Sequence, residues 1–406
     1  MRISKKIIAL LLAVLFAAAA FAGCSAKEDK PAENDTSSAA KSDLKVGFIF
    51  LHDENSTYDN NFIVAAKEAC EKAGVEYILK PNIDESDACK EAALDLADQG
   101  CDIVFADSFG HEDFMIEAAK ACPDVQFLHA TGTKAHTENL ANYHNAFASI
   151  YEGRYLAGIA AGMKINEMIE AGDITAEQAK MGYVGAHPYA EVKSGYTSFY
   201  LGAKSVCPSV TMEVTFTGSW YDETLEKEAA NRLIKDKCIL ISQHADSMGA
   251  PTACEAAGVP NVSYNGSTVK ACPNTFIVSS KINWAPYFEY AIKCVQDGTA
   301  IDADWTGTIA TGSVELTDIN TQAAAKGTEE AIEAAKADLE SGKINVFDCA
   351  NFTVDGKKVE SYKADVDSDA NFEGDTEVID HGVFKESTFR SAPYFDLDID
   401  GITIIE

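Results

Sequence analysis

The sequence predicts an α/β protein made of two doubly wound parallel sheets, each forming the centre of one lobe. Three observations carry this expectation. Short apolar runs of strand length alternate with amphipathic stretches of helix length from about residue 44 onward, the pattern of βαβ units. The alternation starts afresh near Tyr151, which separates two sheets. The chain beyond its first apolar run is long enough for two cores, and no later run nears the roughly 20 residues of a membrane span.

The elements follow in order. Arg2, Lys5 and Lys6 precede an apolar run over 7–21, too short to span a membrane and suited to a secretory leader. The run ends in Phe21-Ala22-Gly23-Cys24, with small residues set before a thiol that can take a lipid. Residues 1–23 are therefore expected to be a lipoprotein signal peptide, with Cys24 the lipidated N-terminus. Residues 24–43 are polar and aperiodic, a flexible tether.

Residues 45–51 form a continuous apolar run, as expected of a strand covered on both faces. The spacing of Ala65, Ala66, Ala69 and Cys70 predicts a helix over 62–73, ended by Gly74. Strands at 75–79, 102–106 and 125–129 alternate with helices at 84–99 and 111–122. The second series opens with a helix over 151–169 that carries a small-residue stripe at Ala157, Gly158, Ala160 and Ala161. Strands at 181–185, 210–216, 238–242 and 261–264 then alternate with helices at 189–206, 222–235 and 249–257. A strand at 275–278, a helix at 286–297, a strand at 312–316, a helix at 328–339 and an edge strand at 352–356 follow. Residues 366–406 are acidic, aromatic and without helical period, an extension expected to pack on a lobe.

The formal net charge of −31 argues against nucleic acid or anionic lipid surfaces as partners, since both are polyanions. Of the 11 cysteines, those after Cys24 form no CxxC and no Cys/His cluster with metal spacing. They are expected as buried free thiols acting as small hydrophobes. No Gly-x-Ser-x-Gly, phosphate-loop or His-Glu-x-x-His motif occurs. Asp396-Leu-Asp-Ile-Asp-Gly401 reads as a turn. The chain is expected to be a binding protein and not an enzyme, with no cofactor and no metal.

Four segments point to a family. They are the polar loop His52-Asp-Glu-Asn-Ser-Thr-Tyr-Asp-Asn-Asn61, the helix Tyr151-Glu-Gly-Arg-Tyr-Leu-Ala-Gly158, and Gly182-Tyr-Val-Gly185 followed by Ser194-Gly-Tyr, and then Phe216-Thr-Gly-Ser-Trp-Tyr-Asp222. Together they resemble the basic membrane protein family of substrate-binding lipoproteins, over about residues 44–356. The resemblance implies a type I periplasmic-binding-protein fold whose lobes are joined by a three-strand hinge, placed near 130–150, 265–280 and 305–316. The lobes are then 44–150 plus about 266–305, and 151–265 plus about 306–365. It also implies a purine or nucleoside ligand, an ABC permease as partner, a monomer, and residence at the extracellular face of the cell membrane through the lipid anchor alone. A ligand-sensing role, or another ligand such as a sugar, stays open.

In open α/β sheets ligands bind beyond the carboxyl ends of the strands. A planar heterocycle is held between aromatic faces while a few polar groups read its edge. By position, the resemblance sets Tyr58 and Trp220 as the two faces, Asp59 beside the first, and Asn265 where many members carry an Asp. His129-Ala-Thr-Gly132 and Asn283-Trp284 depart from the family pattern. Trp284 is a further aromatic candidate. Ser108, and Gln243 with Asp246, follow strand ends and supply hydrogen-bonding groups. His187, Tyr189 and Glu191 follow another strand end.

Overall fold

The computed structural model describes residues 43–366 and 374–405. The expected signal peptide, the Cys24 lipidation site and all but the last residue of the tether lie outside these described residues, as do 367–373 and 406 of the extension. No helix among the described residues is long and apolar enough to cross a membrane.

The first series runs β1 (Lys45–Ile49), α1 (Thr57–Ala73), β2 (Glu76–Lys80), α2 (Asp87–Asp98), β3 (Ile103–Ala106), α3 (Glu112–Ala121), β4 (Gln126–Ala130), the single turn α4 (Ala135–Glu138) and β5 (Tyr143–Ala148). The second runs α5 (Ile150–Ala171), β6 (Lys180–Gly185), α6 (Ala190–Val206), β7 (Thr211–Phe216), α7 (Glu223–Lys235), β8 (Leu240–His244), α8 (Gly249–Ala257), β9 (Asn261–Tyr264) and β10 (Phe276–Ile282). The chain then returns through α9 (Ala285–Asp297) and β11 (Asp304–Gly307), and crosses again to β12 (Val314–Leu316) and α10 (Thr328–Glu340). The two-residue strand β13 (Lys363–Ala364) precedes the extension, which holds three more, β14 (Thr376–Glu377), β15 (Ile379–Asp380) and β16 (Val383–Phe384), and carries β17 (Ile402–Ile404) near its end.

Two sheets result, in the orders β11-β5-β4-β3-β1-β2 and β12-β10-β9-β8-β6-β7-β17. Every ladder of the first is parallel. In the second, β12 alone runs antiparallel to its neighbour. All four residues of β3 are buried, as strands covered on both faces must be. This is the α/β, two-sheet architecture that the alternation predicts.

Three differences from the expected layout have physical reasons. Residues 276–282 do not belong to the first lobe: β10 pairs with β9, Ser279 opposite Ser263 and Ser280 opposite Tyr264. The chain crosses after β10, where α9 packs on α1 and Lys72 Nζ meets Glu289 at 2.8 Å. The first helix begins at Thr57 and not near 62, because Ser56 caps it: the Ser56 hydroxyl accepts from the Asp59 amide, and an acidic residue in the first turn suits the helix dipole. The edge strand expected at 352–356 is a single bridge between Val354 and Lys357.

The small-residue stripe has a structural cause. A Cβ added at Gly158 would lie 2.0 Å from the Phe199 carbonyl oxygen, and one at Gly202 would lie 2.0 Å from that of Tyr155. α5 and α6 therefore touch backbone to backbone, and only glycine permits it at those two points. The ten described cysteines are free, and Cys122 is the one that is not fully buried. Burial pushes the Cys70 and Cys238 thiols up to about 12, so they pack as apolar groups.

Candidate functional site

The strand orders reverse beside β1 in the first sheet and beside β6 in the second. At such switch points the following loops diverge and leave a crevice. The loops after β1, β3 and β4 face those after β6, β7 and β8 across a cleft of about 550 Å³. The lobes also touch directly. The Thr57 amide and hydroxyl both donate to the Asp246 carbonyl at 3.2 Å, and Asn61 Nδ2 donates to Asn265 Oδ1 at 3.3 Å.

On the first-lobe side, the capped N-terminus of α1 presents Tyr58 and Asp59. Asp59 Oδ1 accepts from the His52 amide at 2.7 Å, and Oδ2 accepts from the Ser56 hydroxyl at 2.5 Å. Burial would raise its pKa, but the hydrogen bonds from His52 and Ser56 outweigh it and hold the carboxylate below its ordinary range. The Tyr58 hydroxyl donates to the Asp107 carbonyl at 2.8 Å. The Asp107 side chain lies behind the wall. Its Oδ1 accepts from the Leu51 amide at 3.1 Å, and burial, then the nearby Asp59 charge, raises its pKa well above the usual carboxyl range. Ser108 donates to Glu85 Oε1 at 2.6 Å.

On the second-lobe side, the loop after β7 carries Trp220, the Gly218 turn at φ +76° setting it off the strand. Its ring meets His187 edge-on at 4.9 Å, and His187 stacks on Tyr189 at 5.0 Å. Tyr189 in turn lies 5.5 Å from Phe109 of the first lobe, so the aromatic rim runs across both lobes. Below it, His244 Nε2 lies 2.8 Å from Glu191 Oε1. Asp246 is buried, with Asn265 Nδ2 donating to its Oδ1 at 3.4 Å. Burial, then the Asp59 charge, raises its pKa well above the usual range.

Beneath this wall lies Arg154, fully buried. Its guanidinium donates to the Tyr183 and Ser242 hydroxyls at 2.9 and 3.0 Å and lies 5.1 Å from the centroid of Tyr264, whose ring lines the cleft. The cation supports that wall from behind.

Of the residues singled out in the sequence, the structure brings Tyr58, Asp59, Ser108, Trp220 and Asp246 to the cleft lining. Gln243 and Asn265 stand one layer back. Gln243 Oε1 accepts from Asn261 at 3.0 Å, and Asn265, at φ +63°, braces Asp246. Trp284 is a correction: it is 1% exposed and stacks on Phe62 at 4.4 Å inside the first lobe. It stands at the N-cap of α9 with a proline just after it, and that helix turns the ring inward.

Phe109, in the strand-end segment that carries Ser108, also lines the cleft, whereas sequence reading missed Glu112, Thr131 and Lys134 on the first lobe. Thr131 has φ +65°, uncommon for a β-branched residue, and its neighbour Gly132 has no room for a Cβ, which would lie 1.9 Å from Asn145 Nδ2. The Thr-Gly pair was visible as a departure from the family pattern. It also missed Asp365, Arg390, Ala392, Pro393 and Asp396, in and beside the extension, where no periodicity marks a role.

Residues 50–346 match the Bmp family model, described as ABC transporter substrate-binding protein PnrA-like. A purine-binding protein of Brucella abortus is 32% identical over 314 residues, 76% of this chain and 84% of the relative. An ABC transporter nucleoside-binding protein of Lactococcus lactis is 23% identical over 369 residues, 84% of this chain and 99% of the relative. A putative ABC transporter glucose-binding protein of Haloferax volcanii is 34% identical over 207 residues, 51% and 49% of the two chains. In fold, the chain is similar to an ABC transporter solute-binding protein of Aeropyrum pernix, with a TM-score of 0.62 at 18% identity over 74% of this chain and 92% of that one. The chain belongs to the Bmp family of PnrA-like substrate-binding proteins of ABC transporters, which bind substrates and are not enzymes.

Proposed function

We propose that this chain captures a purine or purine nucleoside between its lobes and hands it to an ABC permease, held at the outer face of the membrane by a lipid on Cys24. The observation that carries the ligand class is the meeting of Tyr58, Tyr189 and Trp220 with Asp59 and Asp246 in one cleft of about 550 Å³. Aromatic faces clasp a planar ring, and carboxyl groups read its N–H edge or a sugar hydroxyl. The purine-binding and nucleoside-binding relatives, both matched over most of their length, support the same class. Closure of the lobes about the three crossings buries the ligand.

The glucose-binding relative motivates a second reading, since a sugar ring also packs on aromatic faces. A titration of the mature chain with adenosine, guanosine, inosine, their free bases and glucose separates the two. Trp220 lines the cleft, so binding alters tryptophan fluorescence. A response to purines supports the proposal; a response to glucose alone, or silence across the panel, sinks it. Labelling with a radioactive fatty acid, compared between the full-length protein and Cys24→Ala, tests the anchor: equal labelling would remove it.

A further inference from the structure

The family model ends at residue 346, yet the cleft lining includes Arg390, Ala392 and Pro393. These residues belong to a built wall. Phe395 is fully buried and stacks on Phe347 at 4.4 Å. Lys193, at the start of α6, holds Asp396 at 2.7 Å and Asp398 at 3.0 Å. β17 extends the second sheet alongside β7. The same segment reaches the first lobe, where the Ser391 amide donates to Asp304 Oδ1 at 2.9 Å. The Arg390 side chain is set by its own turn, with Nε donating to the Ala392 carbonyl at 3.1 Å and Nη2 to that of Pro393 at 3.4 Å.

We propose that the segment 389–396, which lies outside the part of the chain that matches the family model, is a wall of the ligand cleft, and that Arg390 is a specificity-determining residue that meets a ligand's hydroxyl-bearing end. Resting on the purine reading above, this makes the preferred ligand a neutral nucleoside over its free base or its phosphate. Strand order gives the geometry. Tyr58 follows β1 and Thr131 follows β4, two strand positions along the same sheet edge, or roughly 10 Å. The aromatic faces thus occupy one stretch of the cleft. Thr131, Thr133, Lys134 and Arg390 lie in the same lining, and β11, which carries the Asp304 that holds Ser391, lies on the β4 side of the sheet. A base against the first stretch carries its sugar toward the second.

Charge decides against an anionic end. Seven Asp and Glu side chains line the cleft, and even with Asp246 set aside, whose pKa burial raises, they outnumber Lys134 and Arg390, its permanent cations among the described residues. A phosphate meets net repulsion there, whereas sugar hydroxyls can accept from the guanidinium and donate to carboxylates.

The test titrates the full mature chain with inosine, hypoxanthine and inosine monophosphate, as wild type, Arg390→Met and Arg390→Lys. We expect the wild type to prefer inosine over both others. Arg390→Met weakens inosine on the order of tenfold, the loss of a charge-assisted hydrogen bond, and leaves hypoxanthine within about twofold, while Arg390→Lys falls between. Because the variant could fail to fold, hydrogen exchange on the wild type provides the second readout, with inosine protecting the amides of 389–396 more than hypoxanthine does. Unchanged inosine affinity in folded Arg390→Met overturns the proposal, as does equal protection by the two ligands. A wild type that binds hypoxanthine and inosine alike defeats the wall's selectivity while sparing the purine reading. Silence of the wild type toward every purine defeats that reading and this inference with it.

Discussion

Trp220 and Trp284 show what a residue's place in the fold adds to its identity. Both follow a strand, both are aromatic, and sequence alone ranks them together. Trp220 is half-buried in the rim beside His187 and Tyr189; Trp284 is enclosed by Phe62, Phe105 and Phe147. The difference comes from crossing topology, because Trp284 enters a helix that returns to the first lobe, and no local signal encodes that return. The two are expected to fail differently. Trp220→Ala weakens ligand binding on the order of tenfold through lost stacking, with a change in urea midpoint near the noise. Trp284→Ala opens a core cavity and costs roughly 3–5 kcal/mol of stability. Urea unfolding beside ligand titration checks both, and a Trp284→Ala variant of unchanged stability would contradict its placement.

Among the elements, the helix and strand series was legible because period, caps and terminal glycines agree along the chain, as at Gly74 and Gly172, which close α1 and α5 in the left-handed conformation. Two element-level facts were not legible. The first turn of α1 reads as a polar loop, although Ser56 and Asp59 three residues on carry the capping signal that places Tyr58 and Asp59 on a helix. The extension has neither period, and its place depends on tertiary partners such as Phe347 and Lys193 that sit far away in sequence. By contrast, the Tyr-Leu-Ala-Gly segment of α5 is legible as a motif, while its physics lies in the tertiary contact. That physics is backbone contact, since Gly158 and Gly202 lie where a methyl group would strike a carbonyl oxygen. Gly158→Ala must push α6 away from α5, at a cost of roughly 3 kcal/mol, while Ala157→Gly costs only about 1 kcal/mol through helix propensity. Thermal unfolding of the pair checks the ranking; a Gly158→Ala variant that loses no stability, as helix propensity alone would have it, would mean that the helix contact does not require the glycine.

For the molecule as a whole, acidity and burial combine into a pH dependence with a definite sign. Burial pushes Glu226, which accepts from the Asp222 and Ser247 amides, up to about 7, and pushes Glu386 up to about 7 as well. Burial likewise raises Asp107 and Asp246 well above their ordinary range. An acid whose folded-state pKa lies above its unfolded value near 4.3 binds more protons folded than unfolded, so stability falls as pH rises through the interval. For Glu226 and Glu386 that interval is about pH 4.5 to 7, and each contributes on the order of 3 kcal/mol across it. Asp59 has the opposite sign. Its pKa is lowered, so its contribution is present above the unfolded value and is lost only as pH falls below the ordinary aspartate range. The net expectation is a protein more stable at pH 5.5 than at pH 8. The formal charge of −31 acts in the same direction, because protonation relieves surface repulsion, but salt screens that part and leaves buried groups nearly untouched. Melting curves at pH 5.5 and 8 in 0.5 M salt therefore retain most of the difference. Glu386→Gln lowers it further, since a buried amide no longer ionises at pH 8. A pH difference that vanishes in salt and survives Glu386→Gln would assign the effect to the surface and remove it from the buried carboxyls.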